Sequence, residues 1–140
     1  MSISDRMKRM HNCVGISIDS EEGFSGKLYN CYETEPRTFN DADEFFNIVN
    51  AFLDALEFPA QKFRYRAFKK TLPTLIIVDI DPKEKLYETK DLLSKVDEKG
   101  FILMVAGRDN ATWQGEIYNT SSDEEYSFNS EVELIRFLNK

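Results

Sequence analysis

The sequence predicts an α+β fold: two hairpin-strand-helix (βββα) repeats joined by a βα segment, forming a mixed, mainly antiparallel sheet with helices packed on it. Three observations predict it: an internal repeat, strand-like alternation in each copy, and the same helix start signal in both. With 140 residues, 41% of them hydrophobic, the chain can bury a core without disulfides or metal. We expect a single domain over 1–140, with repeat 1 at about 12–58, a connector at about 59–100 and repeat 2 at about 101–140.

The repeat is an ungapped alignment of 24–50 with 113–139, in which eight of 27 pairs are identical. The identical pairs include Gly26 with Gly115 and Phe39 with Phe128. The same offset continues toward the N-terminus and keeps the strand faces in phase, placing Val14, Ile16 and Ile18 on Leu103, Val105 and Gly107. We interpret this as a duplication and expect the two units to superpose.

Each copy opens with a predicted β-hairpin. The alternating segment 14–18 is typical of a strand with one buried face, and 101–106 of a strand buried on both faces. Polar turns follow, a second strand resumes at Phe24 or Trp113, and a third short strand ends at Phe39 or Phe128. Phe39 and Phe128 head a predicted core that also contains Phe45, Ile48, Phe52, Ile77, Leu103, Val105 and Leu134.

A helix follows the third strand in each copy. Its start signal is a capping box, Asp41-x-x-Glu44 in the first copy and Ser130-x-x-Glu133 in the second. Between the copies, 75–80 is apolar on both faces, which predicts a buried strand. A helix from Asp81 to about 99 would then connect it to the strand at 101 by a parallel βαβ step.

Composition limits the classes of function. A net charge of −7 disfavours a general binder of nucleic acid or of anionic membranes. No apolar run has the length of a signal peptide or of a membrane span, so we expect a cytoplasmic protein. Cys13 and Cys31 form no metal or redox motif and are expected to be reduced thiols that pack like small hydrophobes.

No catalytic signature appears, and the sequence predicts neither an enzyme nor a cofactor. A Gly-rich phosphate loop, a nucleophile elbow and a zinc-ligand spacing are all missing. Asp79-x-Asp81 has the form of a metal-binding carboxylate pair, but a helix cap explains Asp81 better. His11 has no sequence-defined partner that would make it a general base. We therefore assign no catalytic and no metal-binding residue.

The segment 62–70 is the most unusual local chemistry, because it holds five of the 18 basic residues. As a strand it would place Lys62, Arg64 and Arg66 on one face and Phe63, Tyr65 and Ala67 on the other. A solvated strand face, or one paired with acidic groups of this chain or of a second copy, is the favoured interpretation. The alternative is a site for an anionic nucleotide or nucleic acid, whose candidate ligand-binding residues are Arg64, Arg66, Lys69, Lys70, Arg108 and Asn110.

Two motifs carry resemblances. The block Arg108-Asp-Asn-Ala-Thr-Trp-Gln-Gly115, followed by Phe128-Asn-Ser-x-x-Glu-Leu134, resembles the C-terminal block of short uncharacterised proteins from Gram-positive anaerobic bacteria. That resemblance implies a bacterial source and a shared fold, and it brings no function with it.

The second motif, Asn110-x-Thr112-x-x-Gly115, resembles the Asn/Asp-x-Ser-x-x-Gly motif of PilZ domains. PilZ domains bind cyclic di-GMP together with an upstream Arg-x-x-x-Arg. Here Arg66-x-x-x-Lys70 supplies a lysine, which lacks the bidentate fork suited to guanine and phosphate. This resemblance implies a cyclic-dinucleotide sensor.

The favoured hypothesis is therefore a non-catalytic binding or protein–protein interaction module, whose partner is another protein or a second copy in a homodimer. It rests on the missing catalytic motifs, the acidic surface, exposed sheet edges and the aromatic side chains Tyr29, Tyr32 and Tyr118. The alternative is a sensor of an anionic nucleotide or nucleic acid. It requires Arg64 and Arg66 to converge with Arg108 on one concave surface.

Overall fold

The computed structural model describes residues 7, 10, 12–18, 24–56, 78, 80, 81, 83–96, 100–108 and 112–138. These residues form an α+β fold, as the sequence predicts. In chain order the elements are β1 (Val14–Ile18), β2 (Gly26–Asn30), β3 (Arg37–Phe39), α1 (Ala42–Leu56), α2 (Thr89–Lys95), β4 (Phe101–Gly107), β5 (Gln114–Asn119), β6 (Glu124–Phe128) and α3 (Glu131–Leu138).

The six described strands form one sheet in the order β3-β2-β1-β4-β5-β6, and every neighbouring pair is antiparallel. The two groups of three strands meet at the centre, where Val14 of β1 pairs with Leu103 of β4. The strand predicted over 75–80 falls largely outside the described residues, and the two of its residues that are described, Val78 and Ile80, do not belong to a strand.

Corresponding positions of the second and third strands pair in the same way. Gly26 lies opposite Phe39, and Gly115 lies opposite Phe128. The first strands differ from the sequence alignment by two residues, because Val14 takes the place in its hairpin that Phe101, not Leu103, takes in the other. The second hairpin absorbs these two residues in β4, which is two residues longer than β1 and whose register shifts between Val105 and Gly107. An even shift keeps each side chain on its face. Superposition of the two units stays a prediction.

Two glycines allow close approach of neighbouring backbones. A Cβ atom on Gly26 would lie 1.9 Å from the carbonyl oxygen of Ser17, and one on Gly115 would lie 2.0 Å from that of Met104. Such overlap forces the adjacent strand to move. We expect Gly26→Ala and Gly115→Ala each to lower the free energy of unfolding by about 2 kcal/mol, measured by urea denaturation.

The matched control is Gly107→Ala. Among the described residues, its Cβ atom would meet only the side chain of Gln114, at 3.2 Å, and that flexible side chain can move aside. A change within about 0.5 kcal/mol is expected there. If all three substitutions lower the free energy of unfolding equally, close approach of the neighbouring strand is not the reason for glycine at positions 26 and 115.

Both capping boxes form. In α1, Asp41 Oδ1 accepts a hydrogen bond from the Glu44 amide at 2.8 Å, and Glu44 Oε1 accepts one from the Asn40 amide at 2.7 Å. In α3, the equivalent distances are 3.2 Å from the Glu133 amide to Ser130 Oγ and 3.1 Å from the Asn129 amide to Glu133 Oε1. The reciprocal bond therefore reaches one residue further back than in the usual box, in both copies.

The connector helix is shorter than predicted. It spans only Thr89–Lys95, because the amides of Leu86 and Tyr87 both donate to the carbonyl oxygen of Cys31, at 2.8 and 3.0 Å. These bonds tie 86–87 to the end of β2 and take the donors that a continuous helix would use. Asp81 caps a single turn instead, accepting the Lys83 amide at 2.9 Å.

Helices cover both faces of the sheet. Phe39 contacts Phe45 of α1 and Tyr126 stacks on Phe137 of α3, and strand alternation puts Phe39 and Tyr126 on the same face. The opposite face carries Gly15, against which Val96 packs at the end of α2. The predicted core is confirmed at Phe39, Phe45, Ile48, Phe52, Leu103, Val105, Phe128 and Leu134, which are all buried. Ile77 lies outside the described residues.

None of the helices that the described residues form is long and apolar enough to cross a membrane.

Candidate functional site

Arg108 is the one predicted ligand-binding residue that the structure describes. It follows β4 directly, and its side chain is only 2% exposed. Its Nη1 atom lies 2.9 Å from Asp54 Oδ1 and donates a weaker bond to Asn50 Oδ1 at 3.4 Å. Five predicted residues lie outside the described part of the chain: Arg64, Arg66, Lys69, Lys70 and Asn110.

The described contacts of Arg108 join repeat 2 to α1. Trp113 reinforces them, because its indole N–H donates to the same Asn50 Oδ1 at 3.0 Å. Its ring also packs edge-on against Phe46, with centroids 4.9 Å apart. A buried guanidinium that is held by a carboxylate serves first to fix α1 against the second hairpin.

The described residues of the PilZ-like motif, Thr112 and Gly115, both have structural roles. The Thr112 hydroxyl and the Trp113 amide both donate to Glu131 Oε1 at the start of α3. Gly115 allows β5 to approach Met104 of β4 closely, and it pairs with Phe128 of β6 on its other side. The described strands form one open sheet with β3 and β6 at its edges.

The expectation that tyrosines form a binding surface is wrong for two of the three. Tyr118 is completely buried, with its hydroxyl donating to Asp123 Oδ1 at 2.6 Å, and Tyr32 is only 8% exposed. Tyr29 is half-buried. Tyr118 lies on the same face of the sheet as Gly15, which is covered as well as the face under α1. Tyr32 follows β2, and its ring packs against Phe52 of α1 with centroids 6.1 Å apart.

The carboxylate pair gains no support as a metal site. Asp81 is exposed and caps the turn described above, while Asp79 lies outside the described residues. Over the residues that the structure describes, no group of three or more His, Cys, Asp or Glu side chains is placed to hold a metal ion.

A cleft of about 510 Å³ lies where β3 turns into α1, and we call it the β3–α1 cleft. Among the described strands, β3 forms one edge of the sheet. The cleft is open and mixed in polarity, and it is lined by Pro36, Arg37, Thr38, Asn40, Glu44, Asn47 and Ile48.

The capping box creates the walls of this cleft. Glu44 bonds back to Asn40, which turns the chain sharply from the strand into the helix. Below the turn, the rings of Phe39 and Phe45 anchor the two elements with centroids 5.4 Å apart. The buried side chain of Ile48 then gives the cleft an apolar floor beneath its polar walls.

Arg37 is held rigidly at one wall. Its Nε and Nη2 atoms donate to Glu33 Oε1 and Oε2 at 2.8 and 2.7 Å, and Asn30 Nδ2 donates to Glu33 Oε1 at 2.9 Å. The hydrogen bond from Arg37 lowers the pKa of Glu33, and the same bond raises the pKa of Arg37. Because the pKa of Glu33 is lowered in the folded state, the stability this pair contributes is present at neutral pH and is lost as the pH falls through the lowered pKa.

Acidic residues neighbour the cleft along the chain. Glu44 lines it, and the exposed residues Glu35, Asp41 and Asp43 stand next to lining residues in the sequence; we call these four residues the acidic rim. The charge of Arg37 is balanced by Glu33. Local negative potential of this kind attracts cationic groups and raises their association rate. Sequence reasoning missed the cleft because Asn40 and Asn47 carry no motif. The one available signal was the repeated Asn40/Asn129 identity.

Family models, curated proteins and solved structures were compared with the chain, and none of the three comparisons finds a match.

Proposed function

We propose that the chain is a cytoplasmic, non-catalytic protein–protein interaction module that binds an extended basic segment of a partner in the β3–α1 cleft. The observation that carries this proposal is a cleft of about 510 Å³ lying directly beside β3, which forms an edge of the sheet among the described strands. Addition of an extended peptide to a sheet edge is a recurring mode of recognition, in which main-chain hydrogen bonds give affinity and adjacent pockets give specificity.

The edge strand limits what can bind. β3 has only three residues, and Pro36 precedes it. A short edge next to a proline resists indiscriminate pairing between sheets. A partner therefore gains few main-chain bonds and depends on side chains that fit the cleft.

The lining indicates which side chains those are. The floor at Ile48 suits one apolar or aromatic group, the amides of Asn40 and Asn47 suit a peptide backbone, and the acidic rim suits Lys or Arg on either side. The sequence of 62–70, in which basic residues alternate with Phe and Tyr, has this chemistry. A second copy of the chain is consequently one partner that fits, which agrees with a homodimer.

Fluorescence anisotropy with two labelled peptides tests the proposal. One peptide has the sequence of residues 62–70, and the other replaces every Lys and Arg by Glu. We expect the basic peptide to bind at least about tenfold more tightly, a difference of about 1.4 kcal/mol.

Two variants with the same added charge locate the site. Asn47→Lys places a cation in the cleft and should weaken binding of the basic peptide about tenfold. Ser127→Lys adds the same charge on exposed β6 at the other edge and should leave binding unchanged. If the basic peptide does not bind, or if both variants lose binding of the basic peptide equally, the proposal is contradicted.

We expect no binding to nucleic acid, because the basic segment belongs to a chain of net charge −7 and Arg108 is engaged by Asp54. The check is a gel-shift titration with single-stranded RNA and duplex DNA at about 50 mM salt, where electrostatic binding is strongest. Micromolar binding that fades with added salt and disappears in the Arg64→Ala/Arg66→Ala variant would support the sensor instead.

A further inference from the structure

Cys13 directly precedes β1 and Cys31 directly follows β2, so the two cysteines flank the same end of the β1–β2 ladder. The ladder runs from Ile18 opposite Gly26 to Val14 opposite Asn30, and continuing its register by one residue would bring Cys13 opposite Cys31. Directly opposed residues of antiparallel strands share a face and have Cα atoms about 4.5–5.5 Å apart, which is within the range that a disulfide spans. Both residues carry free thiols in the structure.

The two thiols share one enclosed pocket. Both side chains are 0% exposed, and the side chain of Thr89, the first residue of α2, lies close enough to both to lower the pKa of each. The Thr89 hydroxyl also donates to the carbonyl oxygen of Met10 at 3.1 Å, and Cys13 Sγ donates to that of Met7 at 3.4 Å. The start of α2 therefore closes the pocket over both sulfur atoms.

Closed in this way, the thiols are poor nucleophiles. Burial raises the pKa of Cys13 to about 12 and that of Cys31 to about 11. Lys85 lowers the pKa of both thiols, but burial has the larger effect on each. Since the thiolate is the reactive form, oxidation at neutral pH needs a local opening of α2 that admits solvent.

We propose that Cys13 and Cys31 are an oxidative modification site, at which an intrachain disulfide closes across β1 and β2 when a peroxide reaches the opened pocket. The Cys31 thiolate attacks one peroxide oxygen, forming an S–O bond as the O–O bond breaks, and water leaves after protonation. The Cys13 thiolate then attacks the sulfenic sulfur, forming the S–S bond as the S–O bond breaks and releasing a second water. Two thiols lose two electrons, and hydrogen peroxide is reduced to two waters.

The test oxidises the folded full-length chain with hydrogen peroxide, removes the peroxide, unfolds the chain in urea, alkylates any remaining thiols and measures the intact mass. The wild type should lose about 2 Da, the mass of two hydrogen atoms, and accept no alkylating group. Its Tm should rise by roughly 5–10 °C, because the cross-link restricts the unfolded chain, and a reductant should reverse the rise. The matched controls Cys13→Ser and Cys31→Ser cannot show this loss of mass or this reversible rise.

The proposal is overturned if the folded chain keeps two alkylatable thiols while the urea-unfolded chain forms the disulfide under the same oxidation. It is also overturned if the cross-linked chain melts at a lower temperature than the reduced one, because the opposed register would then not match disulfide geometry.

Discussion

Replacing Phe39 or Phe128 with alanine is expected to lower the free energy of unfolding by about 3–5 kcal/mol at each position. Both side chains are 1% exposed, and each faces a glycine across its strand pair. The Phe39 ring also contacts Phe24 and Phe45, with centroids 5.2 and 5.4 Å apart. Removing either ring leaves a cavity that rigid strands cannot close. Urea denaturation of both variants measures the effect.

The control for this pair is Leu86→Ala. Leu86 is 54% exposed, so its truncation should change stability by less than about 0.5 kcal/mol. Losses below about 1 kcal/mol at both Phe39 and Phe128 would show that the position shared by the two units does not anchor the core.

Asp54→Ala is expected to lower the free energy of unfolding by about 3 kcal/mol, because it removes the carboxylate that lies 2.9 Å from the buried guanidinium of Arg108. The sign is diagnostic. Asp54 lies in the last turn of α1, where a negative charge is unfavourable to the helix dipole. Without the pair with Arg108, its removal would be neutral or slightly stabilising.

Asp43→Ala in the same helix is the matched control for Asp54→Ala. Asp43 is exposed in the first turn, where an acid favours the dipole, and its loss should cost about 0.5 kcal/mol. Thermal and urea denaturation of the two variants should therefore differ by about 2 kcal/mol or more. Equal stability of the two would contradict a structural role for the Arg108–Asp54 pair.

Local signals explain how much of the fold could be predicted. The capping boxes at Asp41 and Ser130 need only residues within one turn, so both form as expected. Alternation and helical periodicity likewise identify the core at Phe39, Phe45 and Leu103, because each pattern reports which side of one element is buried.

Contacts distant in sequence explain the differences. The connector helix begins late because Leu86 and Tyr87 bond to Cys31, more than 50 residues earlier. Likewise, no local pattern around Arg108 indicates that Asp54 will lie beside it. Side-chain alternation at Tyr118 could not reveal that its face of the sheet would be covered as well.

The candidate site was the hardest part to predict, because it depends on an angle between elements rather than on a motif. In the sequence, Asn47 is an ordinary polar position on the exposed side of α1. It lines a cleft only because of the angle at which β3 meets α1. The sequence favoured basic residues as ligand-binding candidates, yet Arg108, the one candidate among them that the structure describes, is buried.

Amide hydrogen exchange is the most direct test of binding in the β3–α1 cleft. It is measured on the chain alone, with the basic peptide of residues 62–70, and with the peptide in which Glu replaces each cation. The basic peptide should slow exchange over Arg37–Phe39 and the first turns of α1, and the Glu-substituted peptide should not. Neither peptide should change exchange over β6. Unchanged exchange over Arg37–Phe39, or protection appearing at β6 instead, would contradict it.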